Sequence, residues 1–392
     1  MHLPLASRVA LGALLLSGAC SSRDKPELET EPISQEPPLS TTKSEPTSES
    51  LIAVSLADGE TLVLGTDGQT VWGASLTNTG LNVHWSVPAP GILQRATSGI
   101  VDQREWVVLA FGRGRGQLDA PLSVKLVDPT TGEERLLAQW RSPRADFAHL
   151  SVSDLDSDSS NEVVYAAFES KYHVREWIHP VPGERRSGAL TRMATARAFA
   201  DLDGDGSTDR VVGRIYGDEL GAPGDLKIET STQNTEPSIV GGVRSLAVAH
   251  TQADPRPTLY VADGWSSSYA KEGRAMLKRV SFDGKRFRID ACVESVDEYT
   301  FNRIEVLGRP PSQQLVVYGN RRLSWVNVGD DGSCELRAVP GTEGQTMRVF
   351  ASSGPTQALL SPGSPTLVEK RTIPLGAPSD SAQVSPEPTH DP

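Results

Sequence analysis

An all-β chain, built as a β-propeller of seven four-stranded blades, is the fold class that three observations predict. A short alternating strand, a polar turn and a second β-rich run recur seven times, opening near Leu51, Gly99, Leu150, Ala198, Ser245, Arg303 and Met347, most of them about 45 to 55 residues apart. Tight-turn dipeptides follow in the later half of several units, at Thr131-Gly132, Asp283-Gly284 and Asp331-Gly332. These are the residues that a hairpin between outer strands needs. The composition is rich in turn formers, with 35 Gly and 28 Pro among 392 residues, while 37% hydrophobic residues suffice for a large core.

Residues 1–19 read as an export signal. Arg8 supplies the positive charge, residues 9–16 are apolar, and Ser17-Gly-Ala precede Cys20. The apolar run falls short of the roughly 20 residues that span a bilayer. The segment resembles a bacterial lipoprotein signal, which implies a lipidated Cys20 as the first mature residue; Ser17 stands where that family usually has a larger aliphatic. Plain secretion after cleavage near Ala19 is the rival reading. Residues 20–50 are Pro, Ser, Thr and Glu with little to bury. Seven acidic and three basic side chains give the stretch a charge of −4 (3 − 7), so it is expected to be an extended, disordered tether. The propeller is expected over residues 51–370 and a second Pro/Ser-rich disordered tail over 371–392.

Within the propeller, each opening strand is followed by its β-rich partner, beginning at Thr61, Trp106, Glu162, Arg210, Thr258, Gln314 and Gln357. Four strands per unit make a blade, and the ring closes where the last unit meets the first. The last unit is short, so a strand from before Leu51 is expected to complete it.

The third and fourth units carry the richest chemistry. In Phe199-Ala-Asp-Leu-Asp-Gly-Asp-Gly-Ser-Thr-Asp-Arg-Val-Val, residues Asp201, Asp203, Asp205 and Asp209 stand at loop positions 1, 3, 5 and 9. With the Ser207 carbonyl they form an oxygen cage suited to calcium, which takes about six to eight oxygen ligands. One unit upstream, Asp154, Asp156, Asp158 and Glu162 repeat the spacing, with Ser160 in the place of Ser207 and Ser159 where Gly206 eases the turn. An EF-hand would need a Glu at position 12, where Val212 stands, and helices on both sides. The two loops resemble FG-GAP (VCBS-type) repeats of integrin-like propellers. That resemblance implies Ca2+ between the first and second strands of a blade, in a stiffening role. The turns Asp67-Gly-Gln-Thr-Val-Trp72 and Val127-Asp-Pro-Thr-Thr-Gly132 look somewhat like those of PQQ-type propellers, although Leu136 stands where a Trp is usual.

Catalytic signatures are missing. The seven histidines show no metal-ligand spacing, and the sequence contains no nucleophile elbow, phosphate loop or dinucleotide fingerprint. His149 and His250 are expected to flank inner strands and to face a common channel, or else to be satisfied structural side chains. Cys292 and Cys334 remain as an even pair, either a disulfide between outer hairpins of adjacent blades or two separate buried thiols. The seven tryptophans, nearly one per unit, suit packing between blades. Arg113-Gly-Arg-Gly and Arg321-Arg322 read as solvated tips. A net charge of −12 argues against nucleic acid as a partner.

The functional expectation is a non-enzymatic, monomeric lipoprotein of the bacterial envelope, at the outer membrane. Its lipid anchor is its sole membrane contact, and a face of its calcium-stabilised propeller binds protein or glycan. Two alternatives stand beside it: an envelope polysaccharide lyase or hydrolase using the central channel, and a PQQ-like scaffold in an outer-membrane assembly complex.

Overall fold

The computed structural model describes residues 50–77, 80–112, 121–142, 144, 146–216, 223–232, 235, 238–239, 241–250, 256–264, 275–295, 297–298, 300–307, 313–329, 333–339, 349–353 and 356–360. The signal with Cys20, the tether before Ser50, the tip at Arg113 and the 371–392 tail lie outside the described residues.

The first blade is β1 (Ser50–Ser55), β2 (Thr61–Thr66), β3 (Thr70–Thr77) and β4 (Gly80–Pro88). The second is β5 (Ile92–Val101), β6 (Arg104–Gly112), β7 (Leu122–Val127) and β8 (Glu134–Trp140). The third comprises β9 (Phe147–Ser153), β10 (Glu162–Phe168), β11 (His173–His179) and β12 (Arg186–Arg192). In the fourth come β13 (Ala194–Ala200), β14 (Asp209–Arg214), β15 (Asp225–Glu229) and β16 (Ser238–Ile239). The fifth holds β17 (Val243–Ala249), β18 (Thr258–Asp263), β19 (Ala275–Phe282) and β20 (Phe287–Ser295), and the sixth β21 (Phe301–Leu307), β22 (Gln314–Gly319), β23 (Leu323–Val328) and β24 (Cys334–Ala338). Each is an antiparallel four-stranded meander in sequence order.

This is a β-propeller. Every opening strand predicted from the repeat is the first strand of a sheet, and every partner run lies in the second. The blade count is corrected: among the described residues there are six four-stranded blades, not seven. The unit at Met347 contributes a two-stranded sheet, β25 (Val349–Ser353) with β26 (Thr356–Leu360), which lies against β1, β2 and β3. Past β26 the sequence brings Pro362, Pro365 and Pro374, residues that cannot donate to a ladder and are disfavoured in a central strand.

A strand's place in its blade sets its burial. Second strands are enclosed on both faces and read as unbroken apolar runs, as in β2 and β18, where all six residues are buried. Outer strands such as β8 and β12 keep mostly exposed or half-exposed residues. First strands neighbour one another in turn, β1 with β5, β5 with β9, and so on to β21, and surround the central channel.

Alternate residues of each second strand pack on opposite sides, so the blades are joined by apolar clusters. Leu62, Leu64 and Trp85 meet Leu109 and Phe111 between the first and second blades. Trp106 and Leu126 meet Tyr165 and Trp177 between the second and third. Comparable clusters join the fourth blade to the fifth and the fifth to the sixth. The third and fourth blades are joined differently. Glu176 of β11, 2% exposed, pairs with Arg197 of β13, 3% exposed, and also with Arg210 of β14 at 3.1 Å. Arg210 goes on to Glu229 at 2.6 Å, and Glu229 to Lys227 at 2.8 Å. Burial lowers the Arg197 pKa, and the Glu176 carboxylate opposes the shift.

Candidate functional site

Both acidic loops stand between the first and second strands of their blades, as the repeat implies. In the fourth blade, Asp201 follows β13 and Asp209 opens β14. Asp201 curls the loop by accepting from the amides of Gly204 (2.8 Å), Asp205 (3.0 Å) and Gly206 (3.0 Å). Gly204 and Gly206 sit at φ +79° and +87°, a left-handed backbone that glycine adopts without Cβ strain. The curl brings ligand oxygens of Asp201, Asp203 and Asp209 to within 4.8 Å of one another.

Asp209 is fully buried. One of its oxygens accepts from the Leu202 amide at 2.8 Å, while its Oδ1 has no hydrogen-bond partner. Burial, with repulsion from Asp203 and Asp201, pushes its pKa up to about 6. An orphaned carboxylate oxygen facing two further carboxylates is the donor set that a hard cation satisfies. Asp205 is turned elsewhere: it accepts from the Ser207 amide at 2.8 Å and from the Ser231 hydroxyl, which holds its pKa low. It is not part of the carboxylate triad.

The third-blade loop repeats this wiring. Glu162 accepts from the Leu155 amide at 2.9 Å, as Asp209 does from Leu202, and Asp154 accepts from Asp158 and Ser159. Asp154, Asp156 and Glu162 form the second triad within 4.8 Å, while Asp158 is bonded to the Ser160 amide at 2.7 Å. Here Ser157 and Ser159 take the left-handed positions, at φ +61° and +70°. A Cβ there costs roughly 1–2 kcal/mol per residue, so this loop carries strain that its neighbour avoids. Two acidic clusters able to hold a metal ion are thus present.

A second site lies in the channel. Five first strands carry a β-bulge near their start, at Gln94, Ala148, Thr195, Arg244 and Asn302. Those five residues share a cavity of about 280 Å3 lined from all six first strands. Arg95, His149, Arg197 and Arg303 line it as well. Burial, with the nearby charges of Arg197 and Arg95, pulls His149 down to about 3, so its ring is neutral at pH 7. His250 is not in the lining; its amide donates to Gln313 at 2.7 Å.

Spacing does not single out the arginines, because a cation in a strand reads as a solvated face. The available signal was positional: β5, β13, β17 and β21 each carry an arginine within their first four residues.

The remaining residues hold the frame together. Cys292 of β20 and Cys334 of β24 form a disulfide with Cα atoms 5.2 Å apart, joining the outer strands of the fifth and sixth blades. Trp72, Trp85, Trp106, Trp177 and Trp325 are buried, and Trp265 lies outside the described residues. The turn at Asp128 is closed by Thr130 and Thr131 amides donating to its carboxylate, and the Pro129 carbonyl accepts from Trp85 Nε1 at 2.9 Å. That turn is therefore a tie between blades. Arg321 is exposed and Arg322 half-buried, and the amides of both donate to Glu298.

No family model matches the chain, and no curated protein is similar to it in sequence. Among solved structures, it is similar to a protein of unknown function from Desulfotomaculum acetoxidans DSM 771, at 13% identity and a TM-score of 0.48, over 79% of this chain and 90% of that one. It is also similar to a protein from Bacteroides fragilis NCTC 9343 proposed to be a 6-phosphogluconolactonase, at 8% identity and a TM-score of 0.48, covering 80% and 87%. A like-named protein from Bacteroides uniformis ATCC 8492 gives 10% identity and a TM-score of 0.46, covering 74% and 83%. Likenesses this distant carry neither ligand nor reaction to this chain.

Proposed function

We propose that this chain is a lipid-anchored protein of the bacterial envelope whose β-propeller, stiffened by Ca2+ in two loops, is a binding or scaffold module for protein or glycan rather than an enzyme. The observation that carries the calcium reading is the fully buried Asp209 Oδ1, left without a partner and facing Asp201 and Asp203. A cation there offsets three mutually repelling carboxylates and locks the hairpin from β13 to β14. The matching triad one blade away supports the same role in the third blade. Two ions, each locking one hairpin, serve a rigid recognition surface. Within the described channel lining, the single titratable base is His149, and a base held near 3 is weak at neutral pH.

Calorimetry with and without EGTA tests the calcium reading. Ca2+ at 100 times its dissociation constant stabilises the fold by about 2.7 kcal/mol per site, which EGTA removes. Asp209→Asn removes the share that belongs to the fourth blade. Equal melting temperatures in Ca2+ and EGTA would sink the idea. The anchor rests on Ser17-Gly-Ala-Cys20. Cys20→Ser is expected to shift the protein from membrane to soluble fractions, and unchanged fractionation would remove the lipid from the account.

A further inference from the structure

We propose that the central cavity binds a small dianionic ligand, a phosphate monoester or a dicarboxylate, between Arg95 and Arg244. The inference goes beyond the calcium-stabilised module and does not depend on it. The cavity gathers at the start of the first strands, whereas the acidic loops follow their ends. From Thr195 to Asp201 is six residues of strand, about 20 Å of rise.

The bulges are the first argument. A bulge inserts one residue, bends the strand and re-aims a side chain, and bulges concentrate beside functional sites. Here five strands from five different blades bulge toward one cavity. The strand without one, β1, contributes Ile52.

Charge is the second argument. Four arginines line the cavity, and two of them are neutralised: Arg197 by Glu176, and Arg303 by Glu305 at 2.6 Å. Among the described residues, the other two have no carboxylate partner. Arg95 lines the cavity and is exposed, with one long donation to the Gln94 carbonyl at 3.4 Å. Arg244 is half-buried, and its Nε is buried with no hydrogen-bond partner. Burial lowers the pKa of both; the charge of Arg303 adds to the effect on Arg95, while Tyr216 opposes it at Arg244. Guanidinium does not shed its proton in proteins, so two positive charges remain to be met. At Arg244, half-buried with its Nε unmet, an unpaired and partly desolvated charge is costly, and a ligand's counter-charge would relieve it.

A third feature completes the donor set. Thr195 Oγ1, at one of the bulges, is buried without a partner. Arg95, Arg244 and Thr195 all line the one cavity, so two guanidinium groups and a hydroxyl are available there as donors to oxyanion oxygens. Two unmet charges fit a ligand of charge −2. A volume of about 280 Å3 is at the small end of ligand pockets, which run from about 300 to 1,000 Å3, so a compact molecule fits better than a polymer. The net charge of −12 sets this cationic cavity apart from the protein around it.

The test is isothermal titration of the full mature protein, at constant ionic strength and 0.1 mM calcium as chosen conditions, with glycerol phosphate, with succinate, and with acetate as a monoanion. Binding of one dianion and not acetate is expected, and which one binds identifies the ligand's acid group. Arg95→Met and Arg244→Met are each expected to weaken binding roughly 10- to 100-fold, as for lost charge-assisted hydrogen bonds. The exposed Arg288→Met, whose partner is Asp283, should leave binding unchanged. Without ligand, Arg244→Met should melt no lower than wild type, because it removes an unmet charge. The proposal is overturned if neither dianion binds, if acetate binds equally, if Arg288→Met weakens binding as much as the cavity variants, or if Arg244→Met leaves binding intact.

Discussion

Replacing Glu176 with Ala is expected to destabilise the propeller by about 3–5 kcal/mol, the usual cost of removing one partner from a buried ion pair. The reason lies in what joins the third and fourth blades. Other described blade interfaces hold apolar clusters, whereas here Glu176 neutralises the buried Arg197 and also reaches Arg210. Without it, Arg197 is left charged and out of water. Arg210 keeps Glu229, so the loss centres on Arg197. At roughly 2–4 °C per kcal/mol for a domain of this scale, the melting temperature should fall by about 6 to 20 °C. The double variant Glu176→Met with Arg197→Met is expected to recover at least half of the loss, because apolar side chains of similar size need no pairing. Thermal melts of the single and double variants decide the matter. If the double variant is no more stable than the single one, the ion pair is not what holds the interface.

Loss of the Cys292–Cys334 disulfide is the second large effect. The bond closes a loop of 42 residues between the outer strands of two blades. In the chain-entropy account, a loop of that length restricts the unfolded chain by about 4 kcal/mol, and measured values for disulfides centre on 2–4 kcal/mol. Cys292→Ala with Cys334→Ala should lower stability within that range. Both half-cystines also pack at the edge of the apolar cluster between the fifth and sixth blades, so truncation adds a small packing loss. Denaturant midpoints of the oxidised and reduced wild type offer the cleaner comparison, with no atom removed beyond the bond. Coincident midpoints would refute the expectation.

How the chain reads from its sequence follows from which interactions are local. The paired runs at Leu150 and Glu162, or at Ala198 and Arg210, are legible because a hairpin's alternation and its turn lie within about twenty residues. The acidic loops are legible for the same reason. Asp201 closes on amides three to five residues ahead, so the spacing of the carboxylates encodes the curl directly. Even the weaker turn at Ser159 is visible in advance as a non-glycine at a left-handed position. The seventh unit reads as a blade in sequence because one hairpin promises a blade, whereas among the described residues that unit contributes only the β25–β26 pair.

Sequence alone determined an all-β repeat, the first two strands of every unit, and the two loops where carboxylates can meet a cation. Tertiary structure alone decided that Asp205 and Asp158 stand outside their triads, that Cys292 meets Cys334, and that one blade interface is ionic. It also decided that Arg95, Arg244 and Thr195 share a cavity. Arg95 and Arg244 are 149 residues apart (244 − 95) and come from different blades. Their meeting depends on closure of the ring and on bulges that re-aim individual side chains. Neither leaves a mark in local periodicity, because a strand's alternation describes its own two faces and not what stands across the channel.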